Sequence, residues 1–86
     1  MGKKPYPLLF HTRFGIHTFG MLYPIDVIIF NDRNEIVSLR ANLLPNRFFF
    51  WNPRFNTVVE LPAGTIGEKR LHKGTVCRIL IKSSSF

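Results

Sequence analysis

His17, Asp26 and Glu60 are the residues of this 86-residue chain whose types and positions could do chemistry. Asp26 enters a run that is otherwise apolar, Pro24-Ile25-Asp26-Val27-Ile28-Ile29-Phe30, and a buried carboxylate without partners is costly. Two arrangements would meet its need. In one, Asp26 bonds His17 in a cleft and orients the imidazole for acid–base work or ligand capture. In the other its role is structural, as a fixed pair with His17 or as an acceptor of backbone amides at a strand entrance. The loop between them, with Gly20 and Pro24, permits the pair without requiring it. A metal centre finds less support. His11, His17 and His72 match no compact ligand motif, and catalytic zinc would have to draw on His17, Asp26 and Glu60. No metal or cofactor is expected. Cys77 has no acidic or histidine neighbour to activate it and reads as an inert strand thiol. Gly64-Thr65-Ile66-Gly67 lacks the lysine of a phosphate loop.

A second candidate is the aromatic stretch Arg47-Phe48-Phe49-Phe50-Trp51-Asn52-Pro53-Arg54-Phe55. If extended, Phe48 and Phe50 face one way while Phe49 and Trp51 face the other. So small a domain can hardly bury both sets. Three uses compete: packing in the core and loops, self-association, and a nucleic-acid platform in which rings stack on bases while Arg47 and Arg54 meet phosphates. The expected interaction surface comprises Arg47, Phe49, Phe50, Trp51 and Arg54, with Phe49 and Trp51 the expected homodimer contact.

The elements that must position these residues are mostly strands. Two β-branched runs, 24–30 and 35–40, flank Asn31-Asp32-Arg33-Asn34, the pattern of a hairpin with a four-residue loop. Val27 to Phe30 are apolar at every position, so both faces should be covered and the strand central. Further strands are expected over 57–61 and 75–81, with shorter ones over 7–10 and 16–19. One short helix should follow Thr65, where Thr65 and Glu68 form a capping box and Gly74 supplies the stop. The fold expected is a β-rich roll or small barrel-like antiparallel sheet with one short helix, a single domain over 1–86 with 83–86 as a tail.

Leu, Ile, Val and Phe make up more than a third of the chain, well above the roughly one-fifth below which chains stay disordered. One cysteine excludes an internal disulfide framework. No stretch approaches the ~18 apolar residues of a membrane span. Residues 6–10 are too short for the apolar region of a signal peptide. A cytoplasmic location without membrane contact is therefore expected. The net charge is +7, shared as +2 over residues 1–30, +1 over 31–64 and +4 over 65–86. Such an excess is compatible with a solvated basic face or with an anionic partner.

Three stretches together resemble a known family. Gly15-Ile16-His17-Thr18-Phe19-Gly20-Met21-Leu22-Tyr23-Pro24-Ile25-Asp26-Val27, then Asn42-Leu43-Leu44-Pro45, then Val58-Val59-Glu60-Leu61-Pro62-Ala63-Gly64-Thr65 are similar, in order and spacing, to the motifs of the domain-of-unknown-function 192 family. The resemblance covers residues 8–80. The chain departs from it in lacking an N-terminal segment and in carrying Thr75 where an acid is frequent. What the resemblance implies is a compact β-rich fold and no established activity. His17, Asp26 and Glu60 are the polar residues inside these motifs. With Met21 they are expected to line a pocket for an unknown small or anionic ligand, in a non-catalytic binding or assembly module. A nucleic-acid or polyanion binder and an enzyme using a His17–Asp26 acid–base pair are the alternatives.

Overall fold

The computed structural model describes residues 7–77. Six strands and one helical turn follow one another: β1 (Leu8–His11), β2 (Ile16–His17), β3 (Ile25–Phe30), β4 (Ile36–Leu43), β5 (Phe48–Phe49), β6 (Thr57–Pro62) and α1 (Thr65–Glu68). They form an antiparallel four-stranded sheet in the order β1-β6-β3-β4 and a two-stranded sheet, β2-β5. The expectation of a β-rich fold with one short helix holds. Among the described residues the larger sheet does not close, however, so the barrel-like variant is set aside. No described helix is long and apolar enough to cross a membrane.

The unbroken apolar run became β3, buried at all six positions and paired on both sides. Alternation then divides the core. Ile25, Val27, Ile29, Leu43 and Val58 form one face, covered by Ile16 and Phe49 of the small sheet and by Met21, Trp51 and Phe55. Ile28, Phe30, Ile36 and Val59 form the other, where Ile66 of α1 packs beside Leu71 and Cys77. The large sheet is thus the middle layer between the small sheet and α1.

The predicted hairpin joins β3 to β4. Asn31 organises its loop: Oδ1 accepts the amides of Arg33 at 2.9 Å and Glu35 at 3.0 Å, while Nδ2 donates to Glu35 Oε1 at 3.1 Å. Asn34 closes the turn at φ 60°, in the left-handed region that asparagine tolerates. A second irregularity lies at the far end of this strand pair. Ile25 faces Leu43 and Val27 faces Arg40, so Asp26 stands opposite two residues, Ala41 and Asn42. This is a β-bulge, with Asn42 at φ 56°.

The capping box does not form. Gly64 is the N-cap, and the Thr65 hydroxyl donates backwards to the Pro62 carbonyl at 2.6 Å. The helix also stops earlier than Gly74. Arg70 turns left-handed at φ 54°, its amide donates to the Gly67 carbonyl and that of Leu71 to the Ile66 carbonyl, the paired bonds of a Schellman stop. Leu71 joins the cluster that contains Ile66, which completes the motif's apolar contact. Beyond it, Gly74 and Thr75 bond Ile36, and Val76 bridges Glu35. Of the strand expected over 75–81, the described residues 75–77 form only this isolated bridge, and 78–81 lie outside the described residues.

Candidate functional site

Asp26 is fully buried, and both of its carboxylate oxygens accept backbone N–H groups. Oδ1 takes the Asn42 amide at 2.9 Å and Oδ2 the Ile66 amide at 2.7 Å. The first bond holds the bulge of β4. The second satisfies a donor at the start of α1, whose N-cap glycine has no side chain to do so. A carboxylate accepting two amides at a strand entrance is the structural alternative foreseen for this residue.

His17 lies on β2 and is exposed. Its Nδ1 accepts the Phe19 amide at 3.3 Å, which puts the proton of the neutral ring on Nε2, and the ring stacks on Phe19 at 4.7 Å. Glu60 is buried and pairs across the sheet with Val27 and Leu8. It therefore points to the face covered by the small sheet, whereas Asp26, one position out of phase, points to the face covered by α1. Met21 packs on the Glu60 side. The four residues do not line one pocket, and the middle sheet stands between Asp26 and the layer that carries His17. A cleft of about 450 Å³ does exist, but at the other end of β3, among Asn31, Asp32, Arg33, Arg54 and Asn56. Among the described residues no three of His, Cys, Asp and Glu are grouped to hold a metal ion.

Thr18, not singled out from the sequence, is fully buried and ties β2 to the loop before β5. Its hydroxyl donates to the Leu44 carbonyl at 2.7 Å and accepts the Arg47 amide at 2.8 Å, and its own amide donates to the Arg47 carbonyl at 2.9 Å. This clamp fixes where His17, Phe19 and Phe48 emerge.

The aromatic stretch splits as alternation requires, and of the three rings expected at the surface only Phe50 faces outward. Phe49 and Trp51 pack against the core, and Trp51 Nε1 donates to the Phe55 carbonyl at 2.7 Å. Phe48 and Phe50 are the exposed rings, at 58 % and 64 %. They continue a row that begins at His17. Phe19 meets Phe48 edge-on at 5.0 Å, and Phe48 lies nearly parallel to Phe50 at 5.8 Å and 13°. Phe50 in turn lies over Gly15, whose φ of 88° and missing Cβ leave the ring its place. The result is an exposed ladder, His17-Phe19-Phe48-Phe50. The signal for Phe48 was present in the alternation, since it shares a face with Phe50; Phe19 needed the three-dimensional pairing of β2 with β5.

The segments that contain the ladder carry no acidic residue. The segments that build the small sheet and its loops, 7–25 and 44–56, carry Arg13, Arg47 and Arg54 and no Asp or Glu. Arg47 is exposed and directly precedes Phe48, while Arg54 lies over Phe55 beside the distant cleft. Of the two arginines expected on the aromatic surface, only Arg47 adjoins a ladder ring along the chain.

A family model for domain of unknown function 192, described as Uncharacterized ACR, matches residues 4–79. No curated protein and no solved structure matches the chain.

Proposed function

The chain belongs to the domain-of-unknown-function 192 family, and from that premise we propose that it is a non-catalytic binding module whose contact surface is the ladder His17-Phe19-Phe48-Phe50. The observation that carries this reading is the row itself. Monomeric domains rarely leave large apolar rings in a continuous exposed patch unless the patch is used. The rings are also held in place rather than loosely displayed. The Thr18 clamp fixes the backbone on either side, and Gly15 seats Phe50. Such fixation lowers the ordering cost of binding. The residues with acid–base potential support a non-catalytic role, because both Asp26 oxygens and His17 Nδ1 are engaged by backbone amides.

The test is to follow backbone amide NMR signals while adding oligouridylate, heparin, maltohexaose, or more of the protein itself. One of these should shift signals at His17, Phe19, Phe48 and Phe50, and a Phe48→Ser/Phe50→Ser variant should abolish the response. No response to any of them, or shifts confined to other surfaces and unchanged in the variant, overturns the reading.

A further inference from the structure

Resting on the ladder as the contact surface, we infer that its partner is single-stranded nucleic acid, bound by base stacking on the exposed rings and by phosphate contact to Arg47. Two independent features meet here. The first is the ladder, which offers ring surface at three consecutive centroid steps of 4.7, 5.0 and 5.8 Å. Stacking on aromatic side chains is a general way to hold unpaired bases whatever their sequence. The second is the absence of any carboxylate from segments 7–25 and 44–56, in which the exposed Arg47 directly precedes Phe48. The chain's acids lie elsewhere: Asp26 and Glu60 are buried, Asp32 and Glu35 sit at the hairpin, and Glu68 is on α1.

The charge distribution selects among occupants. A second copy docked through this face in a two-fold dimer would bring the exposed Arg47 toward its own equivalent with no acid from these segments to offset it. A neutral oligosaccharide could use the rings but would leave Arg47 without a role. Duplex DNA offers phosphates, but its base faces are stacked within the helix and closed to the ladder. A strand with free bases uses both features.

Fluorescence anisotropy on the full chain with labelled oligothymidylate, oligouridylate and a blunt duplex, at about 50 and about 200 mM salt, tests this. Single strands should bind more tightly than duplex, and affinity should fall as salt rises. Phe48→Ser/Phe50→Ser should weaken single-strand binding at least tenfold, Phe48→Tyr/Phe50→Tyr should largely retain it, and Arg47→Gln should flatten the salt dependence. No single-strand binding at the lower salt overturns the inference. So does binding in which duplex equals single strand and the serine variant matches the parent. If maltohexaose or self-association instead shifts the ladder signals by NMR, the nucleic-acid assignment fails while the binding-module reading stands. If none does, both fail.

Discussion

The amide of Asn42 donates to the carboxylate of Asp26 at 2.9 Å, across one of the two places where β3 and β4 lose their regular register. A bulge leaves a main-chain N–H without its ladder acceptor, and Asp26 supplies one from inside the sheet. The other oxygen of the same carboxylate holds Ile66, forty residues away. Two residues far apart in the chain thus converge on one side chain.

Asp26→Asn should destabilise the fold by about 2–4 kcal/mol, because an amide keeps one acceptor and turns an N–H₂ toward a second donor. Urea unfolding measures it as a lower midpoint at unchanged slope. A change within about 0.5 kcal/mol would show that the carboxylate is not the anchor of the bulge and α1.

Thr18→Val keeps shape and volume but removes a hydroxyl that donates to Leu44 and accepts from Arg47. The loss should be about 1–3 kcal/mol, since both backbone groups are left without that partner. Thr18→Ser, which retains the oxygen, should recover most of it in the same denaturation experiment.

Arg70→Gly should stabilise the domain by about 0.5–1 kcal/mol. A side chain at φ 54° is strained at a helix stop where glycine is at ease, and the guanidinium is exposed. Thermal unfolding should show a higher midpoint; a lower one would mean that the Arg70 side chain contributes more than its backbone costs.

Trp51 and Phe48 are nearly adjacent yet should behave oppositely. Trp51→Ala removes a ring packed on the core and the donor to Phe55, and should cost about 2–4 kcal/mol. Phe48→Ser should change stability by less than about 1 kcal/mol, since the ring is largely exposed. Equal losses from both would mean that the ladder is part of the core.

Much of the architecture could be read from residue order. The Val27 to Phe30 run demanded a central strand, and Asn31-Asp32-Arg33-Asn34 demanded a tight connection; both are local patterns. The structural alternative for Asp26 was legible as well, because an acid in an apolar run must find donors nearby. Which donors was not legible, as Asn42 and Ile66 become neighbours only through the bulge and the return of α1. The shared pocket failed for a simple geometric reason. Asp26 faces Leu61 across the strand pair, so Glu60 belongs to the opposite surface, and that register is set by long-range pairing. The capping box failed because Gly64, not Thr65, takes the N-cap position. Alternation over residues 48–51 defines two faces without saying which one meets the core, so the inward turn of Phe49 and Trp51 is not legible from residue order.

The bond from Asp26 to α1 also bears on how the chain can come apart. A four-residue turn has no persistence of its own in water. If it peeled away, it would strand a charge in the middle layer. The turn and the sheet should therefore be lost in one step, with the Ile66 and Asn42 amides exchanging their hydrogens only as slowly as the whole domain opens.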